Sequence, residues 1–335
     1  MNKKQLGQYF TKKDLWLKPQ IKKFINDSGC TIAYDPFAGD GDLLLCAKEY
    51  DIDNVVGLDI DTRLQWEYNN SLNDIPHIDN AIIITNPPYL TNYSAKRKKI
   101  IDGMESYFEK YTDLYQLAII KMLEAQEYVV AIIPETFINS NFLNSVKNRI
   151  KSITILIENP FEDTENPVCV VCFDNNDLPN RITEVYIGDK YINTLNYLKS
   201  KSMEPLKKYK INFNKVNGKL AIRAVDMPST DKKIQFMSVE KLSYDLKNIK
   251  HSSRLITVVE VEDIDIDINL LVDKCNNLLK KYREETMDIN LSPFKGNAKD
   301  GTRRRRLDYK TARAIIEQAV EILITENSME VENIW

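Results

Sequence analysis

Histidine is nearly missing from this chain: among 335 residues there are two, His77 and His251. Cysteine is little commoner, an odd five, scattered. Cys169-Val170-Val171-Cys172 has the spacing of a redox or zinc pair, but its surroundings are apolar and β-forming. No second pair or nearby histidine completes a metal site, so no metal is expected, and the thiols read as reduced core residues in a cytoplasm. No apolar run approaches the length of a membrane span, and Met1-Asn2-Lys3-Lys4-Gln5 leads into no signal-peptide core, so no membrane partner is expected. An excess of one charge is also lacking, the net charge being −3. Positive charge instead gathers locally, in Lys12-Lys13, Lys96-Arg97-Lys98-Lys99 and Arg303-Arg304-Arg305-Arg306. Its placement matters more than the total for nucleic-acid binding. There is no internal repeat or low-complexity tract. At 43% hydrophobic residues, the chain is long enough for two soluble domains, each with its own core.

What is present centres on Asn86-Pro87-Pro88-Tyr89, which follows the apolar run Ala81-Ile82-Ile83-Ile84-Thr85. That run reads as a buried strand ending in a rigid turn. The prolines fix φ and donate no hydrogen bond, so the turn offers carbonyl oxygens in a set direction. Asn86 adds an amide oxygen, and Tyr89 a flat ring with a polar tip. Two acceptors beside an aromatic face suit an exocyclic amino group on a planar base; a strand exit that only turns the chain would look the same. Two further strand ends carry chemistry. Ile32-Ala33-Tyr34 leads to Asp35-Pro36-Phe37-Ala38-Gly39-Asp40-Gly41-Asp42, and Val55-Val56-Gly57-Leu58 ends at Asp59. A glycine turn lets the backbone approach a ligand, and a carboxylate at the end of the second strand can bind both ribose hydroxyls of a nucleoside. Asp61 competes for that role but would equally cap a helix from Thr62; Asp59 is preferred. A dinucleotide fingerprint would need glycine where Leu44 stands, and Asp35, Asp40 and Asp42 would repel a pyrophosphate while tolerating a sulfonium.

Together with Gly7-Gln8-Tyr9-Phe10-Thr11, these segments resemble the S-adenosylmethionine-dependent DNA adenine-N6 methyltransferases of restriction–modification type, over about the first half of the chain. The resemblance implies an α/β fold, a doubly wound Rossmann-like methyltransferase sheet, followed by a C-terminal target-recognition domain, here divided as 1–185 and 186–335. It implies transfer of a methyl group from S-adenosylmethionine to the N6 amino group of a flipped adenine in double-stranded DNA, in a cell that can hold a paired restriction endonuclease. Asn86, Pro87, Tyr89 and Phe161 would be catalytic, Phe161 covering the face of the base opposite Tyr89. Tyr9, Phe10, Thr11, Asp35, Phe37, Ala38, Gly39, Gly41 and Asp59 would hold the cofactor. Asn70 would meet its adenine, although the family usually has aspartate there. Glutamine-N5 methylation of a protein and cytosine-N4 methylation are rival chemistries, and an inactive DNA-binding specificity module is a rival of another class.

Lys96, Arg97 and Lys98 fall in a polar stretch, Leu90 to Lys99, expected to be a loop at the mouth of the site and suited to phosphates. Arg303 to Arg306 are expected in a glycine-flanked loop that neutralises phosphates or meets guanine edges, a pattern that a solvated basic face would share. Helices are expected from Leu15 to Ile25, Asp113 to Ala125, Phe142 to Ile150 and Leu307 to Leu323. Strands alternating with them imply a parallel sheet with ligands at its carboxyl ends.

Overall fold

The computed structural model describes residues 13–161, 165–242, 255–262 and 265–332. The chain divides into two compact units, residues 1–195 and 196–335. The first is built on a nine-stranded sheet whose strands are β1 (Ile32–Asp35), β2 (Asn54–Asp59), β3 (Glu67–Tyr68), β4 (Ala81–Thr85), β5 (Tyr128–Pro134), β6 (Ile150–Ile155), β7 (Val168–Phe173), β8 (Glu184–Ile187) and β9 (Lys190–Thr194). Their spatial order is β3-β2-β1-β4-β5-β7-β6-β8-β9. β3, β2, β1, β4 and β5 are parallel, whereas β7 lies antiparallel between β5 and β6. The expected α/β sheet is therefore present, but its continuous parallel part runs only from β3 to β5, and the antiparallel β7 makes the whole sheet mixed. The chain winds outward from β1 to β3, then crosses back to β4 beside β1, which makes the β1–β4 junction the point where strand order reverses.

Composition explains why the middle of the sheet is so apolar. A strand covered on both faces must be hydrophobic at every position, and Ile82 to Ile84 and Val129 to Ile133 on the parallel strands, like Val168 to Phe173 on the antiparallel β7, are all buried. Each valine, isoleucine or phenylalanine among them contributes roughly 1.5–3 kcal/mol on burial. Cys169 and Cys172 belong to this run on β7, and none of the five cysteines forms a disulfide. Among the described residues no group of side chains could hold a metal ion, and no helix is long and apolar enough to cross a membrane.

Several sequence expectations need correction. The first helix is broken: Lys13–Trp16 forms one turn, and α1 (Pro19–Asp27) starts afresh at a proline. Lys18 is extended, as a residue before proline prefers. Residues 92–98 are not a loop but α2 (Asn92–Lys98), where Thr91 Oγ1 accepts from Ser94 N at 3.1 Å and the basic last turn complements the helix dipole. α3 (Leu114–Ala125) matches expectation. The helix expected over 142–150 amounts to one turn, Leu143–Val146, because the chain is already entering β6 by Ile150. β8 and β9 join the first sheet, so the first unit runs about ten residues past the expected boundary at 185.

The second unit has an antiparallel sheet of β10 (Ile211–Phe213), β11 (Leu220–Arg223), β12 (Gln235–Ser238) and β13 (Ile256–Val261), in the order β10-β13-β11-β12. A core of its own forms with α4 (Ile268–Thr286) and α5 (Tyr309–Glu332). A hairpin pairs β14 (Ser292–Asn297) with β15 (Arg303–Arg306). The four arginines thus lie on a strand rather than in a loop. Arg305 is 3% exposed, and its guanidinium reaches the Leu291 carbonyl. Arg304 lies over the Phe294 ring and donates to the carbonyls of Asp226 and Lys295, and Arg303 donates to Asn297. Arg303, Arg304 and Arg306 remain partly exposed. Burial removes Arg305 from the surface residues that DNA could meet.

Candidate active site

Three carboxyl strand ends converge at the β1–β4 junction. Asp59, at the end of β2, is 3% exposed and ties two turns together: Oδ2 accepts from Gly39 N and Oδ1 from Asp61 N, both at 2.8 Å. Asp61 opens no helix; its carboxylate accepts from the backbone and guanidinium of Arg63. Asp35, at the end of β1, accepts from Phe37 N at 2.9 Å and from the Thr85 hydroxyl at 2.5 Å. It is buried, joins the first turn to the residue before Asn86, and is not among the residues lining the cavity that Asn86 borders. Ala38 is buried too, its N–H bonded to the Leu58 carbonyl.

Gly41 is required for a reason the sequence did not show. Its φ is +86°, and a Cβ there would fall 2.6 Å from Cζ2 of Trp66. The same indole lies against Gly57 of β2, where a Cβ would meet it at 2.4 Å, and its Nε1 donates to the Gly39 carbonyl at 2.8 Å. The space beside Gly41 is filled by the chain's own tryptophan rather than by a ligand.

Asn86 follows β4, and its turn is pinned from behind. Leu90 N donates to Asp113 Oδ1 at 2.9 Å, Leu114 N to the Leu90 carbonyl and Asn92 N to the Thr112 carbonyl. The Tyr89 hydroxyl is turned inward, within hydrogen-bonding reach of both Asn86 Oδ1 and the Ile132 carbonyl, two acceptors for one proton. Phe161 does not stand across an open slot from Tyr89. It is 4% exposed in the core, and the two rings meet edge to face, centroids 6.3 Å apart at 61°.

One cavity of about 360 Å³ collects Phe37, Asp59, Asn70 and Asn86 with Pro36 and Pro88. It also takes in Ile60, Met104 and Tyr107, which sequence reasoning missed. Ile60 directly follows Asp59 and is 47% exposed, an apolar side chain left open beside a buried carboxylate. No lysine or arginine occurs among the described residues lining this cavity. Tyr9, Phe10 and Thr11 lie outside the described residues. Lys96, Arg97 and Lys98 are exposed on α2, with Arg97 over the Tyr93 ring at 5.9 Å.

Residues 44–159 match the family of Eco57I restriction-modification methylases. The matched stretch contains Asp59 and Asn86, begins after the glycine turn and ends just before Phe161. Among curated protein sequences none matches the chain. Of solved structures, a modification subunit assigned to a type I restriction enzyme of Vibrio vulnificus YJ016 is 14% identical, with a TM-score of 0.40, over 54% of this chain and 47% of that one. The methyltransferase subunit of a type I restriction-modification system from Streptococcus thermophilus is 18% identical, TM-score 0.38, over 53% and 49%. A protein of Listeria monocytogenes assigned as a class I S-adenosylmethionine-dependent methyltransferase is 13% identical, TM-score 0.35, over 53% and 68%. The chain thus spans about half the length of the first two.

Burial pushes the Asp35 carboxyl up to about 7, against the hydrogen bonds from Thr85 and Phe37, and pushes Asp113 up to about 7 in the same way. A carboxyl whose folded pKa is raised contributes stability that is full below its unfolded value of 3.8 and is lost as pH rises through about 7. The melting temperature is therefore expected to fall between about pH 4 and pH 7, and Asp35→Asn should flatten part of that fall. A wild-type profile that is level or rising over this range would contradict the assignment.

Proposed function

We propose that the chain is an S-adenosylmethionine-dependent DNA methyltransferase acting on the N6 amino group of an adenine swung out of double-stranded DNA, and that it serves as the modification enzyme of a restriction–modification system. The observation that carries this reading is that Asp59 and Asn86, from separate strands, face one cavity. Its volume suits a small ligand. A carboxylate, an amide and apolar walls, with no cation among them, fit a nucleoside bearing a sulfonium and disfavour a phosphate. Asp59 would take the ribose hydroxyls, and Asn70, Ile60 and Tyr107 would surround the base. When bound, the cofactor supplies an electrophilic methyl group on a positively charged sulfur.

The protein's own task is to present the amino nitrogen. An adenine amino lone pair is delocalised into the ring. Asn86 Oδ1 and the Pro87 carbonyl, both accepting from the NH₂, would draw that nitrogen towards sp³ and aim its lone pair, so positioning and electrostatics supply the rate. Tyr89 need not obstruct this, because its proton has a second acceptor in the Ile132 carbonyl and can release Asn86 Oδ1 without losing a hydrogen bond. Extruding the base costs a few kcal/mol, which stacking on the Tyr89 ring would offset by about 1–3 kcal/mol. The proton leaves to water after transfer, so no general base is assigned.

Exposed Lys96, Arg97 and Lys98 would meet phosphates, and the second unit would recognise the target, with Arg303, Arg304 and Arg306 as its half-exposed cations. Replacing Lys96, Arg97 and Lys98 with alanine is expected to reduce the slope of log affinity against log salt by about one for each phosphate no longer neutralised. An unchanged slope removes α2 from the interface. The function itself is tested by incubating the protein with plasmid and methyl-labelled cofactor, then digesting the DNA to nucleosides. Label in N6-methyldeoxyadenosine is the expected result; label in N4-methyldeoxycytidine or in protein would overturn it.

A further inference from the structure

Asn70 stands where aspartate would be expected, and the hydrogen bonds around it fix which way its amide faces. Leu72 N donates to Asn70 Oδ1 at 3.3 Å, which marks the oxygen end. At the other end Nδ2 lies 3.0 Å from the Tyr107 hydroxyl. That hydroxyl donates its single proton to Asn73 Oδ1 at 2.8 Å, so towards Asn70 it can only accept. An amide oxygen in that place would set two acceptors against each other. The backbone N–H of Leu72 can only donate and so identifies the oxygen end, and the Tyr107 hydroxyl bonded to Asn73 Oδ1 agrees with that orientation. With one partner taken on each side, Asn70 keeps one N–H and one carbonyl lone pair, and both Asn70 and Tyr107 line the cavity.

Resting on the adenosine-cofactor reading above, we propose that Tyr107 is a positioning residue that makes Asn70 select a 6-amino purine over a 6-oxo purine in the cofactor. Adenine presents an amino donor beside a ring-nitrogen acceptor, the complement of an amide offering one oxygen and one N–H. Hypoxanthine presents the reverse, a carbonyl beside an N–H, and would be matched only by a flipped amide. An aspartate could not flip in this sense. The asparagine needs partners that oppose the flip at both ends: Leu72 N, which can only donate, holds the oxygen weakly at 3.3 Å, and a tyrosine whose proton is committed to Asn73 holds the nitrogen at 3.0 Å.

The test is isothermal titration of the full chain with S-adenosylhomocysteine and with S-inosylhomocysteine. The wild type should bind the adenine ligand about ten- to a hundredfold more tightly. Tyr107→Phe, which keeps the ring and removes the hydroxyl, should still bind the adenine ligand but with that ratio reduced about fivefold or more. Asn73→Ala leaves Tyr107 in place but frees its proton to point at Asn70, and should lower the ratio in the same direction. If Tyr107→Phe does not fold, Asn73→Ala alone carries the test. Equal weakening of both ligands, or a ratio unchanged in both variants, overturns the proposal and leaves Tyr107 as mere cavity wall. A wild type that binds neither ligand overturns the adenosine reading itself, which separates the two failures.

Discussion

Asn86→Ala should lower the turnover of methyl transfer by about a thousandfold while cofactor affinity stays within about twofold of wild type. The asymmetry follows from where the side chain sits. Asn86 borders the cavity, but the turns that close its far end are joined through Asp59, Gly39 and Asp61, none of which contacts Asn86 in a hydrogen bond. Losing the amide removes an acceptor for the reacting amino group and leaves the Tyr89 hydroxyl its alternative on the Ile132 carbonyl, so no buried donor is stranded. Asn86→Asp keeps an acceptor oxygen and should retain measurable turnover. Single-turnover rates with saturating cofactor, alongside titration of the cofactor alone, separate the two effects. Normal turnover in the alanine variant would end the catalytic assignment.

Asp59→Ala should do the opposite, with cofactor affinity falling first and furthest. Two hydrogen bonds from ribose hydroxyls to a carboxylate, at about 1.5–3 kcal/mol each, set an expected loss of a hundredfold or more. The carboxylate also accepts from Gly39 N and Asp61 N, so alanine leaves those two donors unmatched and costs about 1–3 kcal/mol of stability for each one buried. Melting curves without ligand report that structural part. Asp59→Asn keeps one of the two acceptors and should fall between. A dissociation constant within about threefold of wild type in a folded alanine variant would remove Asp59 from the cofactor site.

The strand ends were legible because each apolar run stops at a rigid or acidic turn. Asp35, Asp59 and Asn86 stand out against Tyr34, Leu58 and Ile84 without any knowledge of neighbours in space. The far wall of the cavity was not legible. Tyr107 reaches Asn70 across 37 positions from a stretch with no hydrophobic period, and nothing local marks it. Trp66 was missed for a related reason, since a lone tryptophan in a bend carries no sign of the glycines it covers. The arginine strand misled because four identical residues contain no alternation, so pairing with β14 left no trace in the pattern. Phe161 shows a limit of residue type: a phenylalanine after a proline serves a core or a stacking platform equally well, and here the core has it.

The backbone bonds that join residues 90–92 to 112–114 turn the intervening segment into an excursion with both feet nailed down. Its length can therefore change without shifting Asn86, since closing a longer loop adds only a small entropic cost. Met104 and Tyr107 ride on that excursion. On the function proposed above, the wall that would face the cofactor can be recut over evolutionary time while Asn86, which would hold the substrate base, stays put.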